Sequence, residues 1–276
     1  MKKLSILFMA VLVAALAGCA GDTTSPPGDL VTVQDLQLDT TSTGRTILLV
    51  WSEVTEGDID GYEVYFKKDG TGNWAEVGDV TTLTFTHTAT NAGTYSVRAY
   101  EGTNFSKDYS NTVTTMPQVF TQTYTIYDQF SASSAHGGFI FFDDNTNTYG
   151  ITGLAGEPGF HQDMSAYDDS KGDNDVALYS GKEQYSGGNS SFFQVPASGV
   201  YGNCDPSGSW HISKNLLTSD SVLFVKLPYT SGGNAYAKIY GITVTEDTTP
   251  NGTKVSFSFE YQSKDMGLTV FTSSIN

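Results

Sequence analysis

Apolar and polar residues alternate along most of this chain in short runs, broken by clusters of Gly, Asn, Asp, Ser and Pro. Between residues 30 and 115, Tyr62–Phe66, Leu83–His87 and Thr94–Tyr100 alternate with period two, Thr46–Trp51 is rich in Val, Ile and Leu, and Trp74–Val80 is brief. Gly57-Asp58, Asp69-Gly70 with Gly72, and Asn91-Ala92-Gly93 supply the turn residues between them. About seven short strands over about ninety residues is the spacing of an immunoglobulin-like sandwich. The pattern resumes after Gln118, with strands expected over Phe120–Tyr127, Gly138–Phe142, Val176–Tyr179, Ser190–Val195, Val222–Leu227, Ala235–Thr245 and Lys254–Tyr261. Loops rich in Gly, Ser, Asn and Asp separate these, the longest expected from Gly150 to Asp175; loops of that length are usually functional surfaces or covers. After the first residues, no stretch sustains a 3.6-residue apolar period, so the expected class is all-β with one or two helical turns at most.

With 276 residues, the chain is about twice the length of a common single domain. Met116-Pro117 marks the division, because Pro117 cannot donate to a strand ladder and holds Met116 extended. The expected organisation is therefore a sandwich over 30–117 and a larger antiparallel β domain over 118–276, with no internal repeat relating them.

Lys2 and Lys3 precede an apolar run, Leu4 to Ala17, too short to span a membrane. Leu16-Ala17-Gly18-Cys19 follows directly and resembles the lipobox of bacterial lipoproteins. That resemblance implies a signal peptide over 1–18, an acylated Cys19 as mature N-terminus and, with Ala20 next, sorting to the outer membrane. An ordinary signal peptide cleaved near Ala20 is the alternative. Residues 19–29, with Pro26-Pro27 among small polar residues, form the tether. Thirty acids face 14 bases, or 12 without Lys2 and Lys3, a field that repels nucleic acid and anionic lipid alike. The lipid alone would hold the chain to its membrane partner. Acylation of Cys19 leaves Cys204 with no partner for a disulfide, and it is expected as a half-buried thiol in a Gly/Pro/Ser loop.

Trp51, then Asp60-Gly61-Tyr62-Glu63-Val64-Tyr65, then Tyr95-Ser96-Val97-Arg98-Ala99-Tyr100 resemble the core signature of fibronectin type III domains. The resemblance implies that Trp51 and Tyr62 pack in the core, that the Tyr95 hydroxyl fixes a strand corner, and that the module is a spacer or binding surface, while period two puts Trp51, Tyr62, Val64, Tyr95 and Val97 on one inward face. In the second domain, Gly138-Phe139-Ile140-Phe141-Phe142, Asp175-Val176-Ala177-Leu178, Tyr236-Ala237-Lys238-Ile239 and Val255-Ser256-Phe257-Ser258-Phe259-Glu260-Tyr261 resemble, in order, the motifs of HmuY-like lipoproteins. Those are all-β, anchored in the outer membrane, and the best known bind haem. The match departs where Asn174, rather than Trp, precedes Asp175.

Haem needs axial ligands, and this domain offers His136, His161 and His211, with Met164 and Met266 as substitutes. His161 and His211, each beside an aromatic residue, are the favoured pair; as isolated loop histidines they also read as plain surface groups. Calcium takes six to eight oxygens, and Asp168, Asp169, Asp173 and Asp175 around Gly172 could supply several. Asp143, Asp144, Asn145 and Asn147 form a second acidic cluster, which reads equally well as a turn. No nucleophile elbow, His-Glu-x-x-His helix or phosphate-binding loop is present, so no catalytic residue is assigned. The expectation is a non-catalytic, outer-membrane-anchored lipoprotein whose C-terminal domain binds a protein or glycan. Haem capture is the alternative, and an accessory carbohydrate-active enzyme is third. The Cys19→Ala variant should accumulate as unlipidated precursor. Metabolic labelling with a fatty acid checks this, and equal labelling of wild type and variant would remove the lipoprotein reading.

Overall fold

The computed structural model describes residues 30–128, 137–155, 157–167, 176–184, 186–216, 222–229, 232–245, 253–263, 265 and 267–273. The chain is all-β. Its first sandwich contains β1 (Gln37–Leu38), β2 (Thr46–Val50), β3 (Gly61–Lys68), β4 (Ala75–Val80), β5 (Thr84–Thr88), β6 (Gly93–Glu101), β7 (Asn104–Phe105) and β8 (Val113–Thr114). One sheet runs β1-β2-β5; the other runs β4-β3-β6-β7, with β8 also on β6. Because β7 and β8 occupy successive stretches of one β6 edge, the five strands of the second sheet fill four positions, and the layout is the three-against-four of an immunoglobulin-like, fibronectin type III sandwich. Period two sends Ile47, Leu49 and Trp51, Tyr62 and Val64, and Tyr95, Val97 and Ala99 into one core. The Trp51 and Tyr62 rings meet with centroids 5.6 Å apart. The Tyr95 hydroxyl hydrogen-bonds His87 Nδ1 at 2.7 Å. His87 is accordingly half-buried against Phe66, Phe85 and Tyr95, and burial lowers its pKa.

The second sandwich packs two five-stranded antiparallel sheets face to face. One holds β9 (Gln118–Tyr127), β14 (Phe192–Gln194), β16 (Val222–Pro228), β17 (Asn234–Thr245) and β18 (Lys254–Gln262), in the order β14-β16-β17-β18-β9. The other holds β10 (Gly138–Asp143), β11 (Thr148–Gly153), β12 (Met164–Tyr167), β13 (Ala177–Ser180) and β15 (Ser213–Asn215), in the order β11-β10-β12-β13-β15. Phe139, Phe141, Phe257 and Phe259 interlock edge to face between the sheets, with centroids 5.0 Å apart for Phe139 and Phe257 and 5.3 Å for Phe141 and Phe259. A single helical turn, α1 (Gly181–Gln184), follows β13. Two strands lie inside the segment expected to be the longest loop. β11 contains two glycines, and Gly150 is required on two counts, its φ of +65° and the Tyr124 ring that stands where a Cβ would be. β12 reads Met-Ser-Ala-Tyr, with no β-branched residue, yet is paired on both sides. Pairing partners overrule weak local propensity at both places.

The last described segment, 267–273, crosses back to the first sandwich. Gly44 N donates to Gly267 O (3.1 Å) and Thr269 N to Gly44 O (2.9 Å), while Cys204 N donates to Thr269 O (3.0 Å) and Phe271 N to Gly202 O (2.7 Å). Its backbone therefore bonds the two sandwiches in turn. Leu268 and Val270 are buried in the first core, and Phe271 is buried with Cys204, Phe224 and Tyr236 beneath the second. The division at Pro117 thus separates the sheets of the two units but not their cores. At the far end of this strap, Lys238 Nζ lies 2.8 Å from Glu260 Oε1 in a fully buried pair. Lys238 Nζ also donates to Thr272 O (2.8 Å), and Thr272 N donates to Glu260 Oε2 (2.9 Å). Leu268→Ala should lower the stability of the first sandwich by ~2–5 kcal/mol, as for other buried leucines. Lys238→Ala, which strands a buried carboxylate, should cost ~3–5 kcal/mol. Urea denaturation checks both, and losses below about 0.5 kcal/mol would show that the strap is peripheral.

Candidate functional site

A cleft of about 540 Å³ opens at one end of the second sandwich. The end of β10 supplies Phe142 and Asp143, the turn after it supplies Asp144 and Asn145, and the end of β16 with the residue beyond supplies Pro228 and Tyr229. His161, Asp163, Lys182 and Asn189 come from the loops and turn that close the other wall. The cleft therefore combines aromatic faces, carboxylate acceptors, two carboxamides and one ammonium.

Asp163 organises that wall. Its Oδ2 accepts Phe141 N at 2.8 Å and its Oδ1 accepts Asn189 Nδ2 at 2.9 Å. Its backbone carbonyl accepts Gly181 N at 2.9 Å and Ser191 Oγ at 2.6 Å. Burial pushes the Asp163 carboxyl up to about 6, and the Asp143 and Asp144 charges add to the rise, against the lowering hydrogen bonds from Asn189 and Phe141. Opposite, the Tyr229 and Tyr261 hydroxyls are 2.7 Å apart, and burial pushes Tyr229 up to about 12.

The residues expected to carry the site are distributed as follows. His161 is exposed on the cleft wall, with Nδ1 on the Gly187 carbonyl. A carbonyl only accepts, so Nδ1 carries the proton and Nε2 is the nitrogen with the lone pair. His211 pairs backbone to backbone with Phe193 and lines a different cavity of about 370 Å³, with Val195, Val200 and Phe224. The two cavities share no lining residue. Met164 is buried in the sandwich core. Asp143 serves a hairpin turn: Asn145 N (2.9 Å) and Thr146 Oγ1 (2.8 Å) donate to it and hold its carboxyl below the usual range. Cys204, expected to be half-buried, is fully buried, and burial pushes its thiol pKa up, away from the reactive range. Cys19, His136, Met266 and the calcium candidates Asp168, Asp169, Asp173 and Asp175 lie outside the described residues. Among the described residues no group of three His, Cys, Asp or Glu side chains is placed to hold a metal ion. Sequence reasoning missed Asp163 and Asn189, because a single Asp in a Gly-rich loop carries no sign that it will be buried.

No protein-family model and no curated protein matches the chain. Among solved structures, a human fibronectin type III domain is similar over 33% of this chain and 88% of its own length, at 19% identity and a TM-score of 0.28. Domains A168–A170 of titin are similar over 31% of this chain and 32% of theirs, at 17% identity and a TM-score of 0.27. The chicken CNTN1 FN1–FN3 domains are similar over 87% of this chain and 89% of theirs, at 12% identity and a TM-score of 0.25.

The raised Asp163 pKa has a definite sign. An acid harder to ionise in the fold than in the unfolded chain weakens the fold once charged, so this contribution improves as pH falls through about 6 and levels off below the ordinary 3.8. Against an Asp163→Asn variant, the wild type should gain on the order of 2–3 kcal/mol between about pH 7.5 and pH 4. Denaturation curves at several pH values measure the difference, and a pH-independent gap would contradict it.

Proposed function

We propose that this chain is a non-catalytic, lipid-anchored binding protein of the bacterial outer membrane. In this reading Cys19 carries the lipid, residues 19–29 are the tether, the fibronectin type III sandwich is the spacer, and the cleft of the second sandwich receives the ligand. The observation that supports it is the cleft itself, where the Phe142 and Tyr229 rings stand with Asp144, Asn145 and Asn189 around about 540 Å³. Aromatic faces with several hydrogen-bonding groups suit a polyhydroxylated ligand such as a glycan, whose C–H faces stack while its hydroxyls find acceptors.

A second reading, haem capture in the manner of HmuY-like lipoproteins, draws on His161, whose Nδ1 is held by a backbone carbonyl so that Nε2 is the ligating nitrogen. A glycan-array screen of the mature protein, beside a haem titration, separates the two. Saturable glycan binding that falls at least about tenfold in Asp144→Ala supports the first. A sharp low-spin Soret band lost in His161→Ala would replace it with the second. Glycan binding indifferent to Asp144→Ala would contradict the cleft assignment.

A further inference from the structure

A groove of about 340 Å³ lies between the two sandwiches, and none of its lining residues belongs to the cleft. Its walls carry Arg45, Lys68 and Asn91 from the first sandwich, Tyr201 from the second and Ser273 from the strap. In a chain with 30 acids and 14 bases, a groove lined by two cations and no carboxylate is an inversion of the surrounding charge. Neither cation has an ion-pair partner within 4 Å among the described residues. Arg45 Nε donates to Ala89 O at 3.0 Å, which orients the guanidinium and leaves its terminal N–H groups as donors. The Lys68 ammonium has no partner among the described residues. The nearby carboxylates are held outside the groove lining by serine donors: Asp69 accepts Ser273 N and Oγ, and Asp205, whose charge interacts with Arg45, accepts Ser207 N and Oγ.

We propose that this groove binds the carboxylate of an acidic sugar, a hexuronate unit. A net charge of −16 repels a bare anion, so an anionic ligand must bring other contacts. The groove offers them in the Tyr201 ring, for stacking, and the Asn91 carboxamide, for hydroxyls. Asn91 also abuts Gly202, where a Cβ would stand 1.7 Å from its Nδ2, so the first sandwich reaches the second through this residue. A bound uronate would therefore touch both sandwiches.

The test is calorimetric titration of the mature chain with a galacturonate trimer and with its methyl ester. Saturable binding of the free acid is expected, weakened about tenfold or more by Lys68→Ala and by Arg45→Ala. The methyl ester should not bind. Lys107→Ala, outside the groove, should leave binding unchanged, and because no groove residue lines the cleft, loss of binding in Lys68→Ala reports on the groove alone. Because Arg45 also holds the Ala89 carbonyl, Lys68→Ala is the decisive variant. No saturable binding, equal binding of the ester, indifference to Lys68→Ala, or equal competition by inorganic phosphate would each overturn the proposal.

Discussion

The buried Lys238–Glu260 pair is the interaction on which the arrangement of the molecule depends. Removing two charges from water is costly, and burial does lower the Lys238 pKa against the pull of Glu260. The cost is offset only if every remaining lone pair and proton is used. Thr272 uses them, giving its N–H and hydroxyl to Glu260 and its carbonyl to Lys238. A pair so committed sets the position of the strap to a single residue. Along an extended strand a one-residue slip exchanges its two faces, and would turn Leu268 and Val270 out of the first core. The ion pair in the second sandwich thus specifies the packing of the first.

Of the two candidate sites, only one depends on that constraint. The cleft is built wholly from the second sandwich and needs only the knot that Asp163 ties among β10, α1 and Asn189. The groove is built from both sandwiches and exists only while the strap joins them. Gln262 strengthens the joint, its Nε2 donating to Thr115 O at 2.8 Å and Val270 O at 2.6 Å.

Much of the fold was legible in the sequence, because the strands with alternating or continuous apolar residues are those that fill the two cores. Trp51, Tyr62, Val64, Tyr95 and Val97 lie where period two places them. β11 and β12 were not legible, since their glycines, serine and alanine are selected by neighbours that no local pattern reveals. The strap was illegible for a deeper reason. Leu268, Val270 and Phe271 show that something is to be buried, but not that the partner lies some two hundred residues earlier around Gly44 and Ala92. Of the candidate site, His161 was legible as chemistry; the burial of Asp163 and the union of Arg45 with Lys68 emerge only from tertiary contacts.

Calorimetric unfolding of the mature chain, beside a version truncated after Ser263, tests the strap most directly. The account predicts one cooperative transition for the full chain, because one short strap puts Leu268 and Val270 into the first core and Phe271 against Phe224 and Tyr236 of the second sandwich. In the truncated chain, which lacks the Leu268 and Val270 that fill the first core and the Phe271 packed on Phe224 and Tyr236 of the second sandwich, the first sandwich should melt separately and at lower temperature. Two independent transitions in the full chain, or a first-sandwich transition unmoved by the truncation, would contradict it.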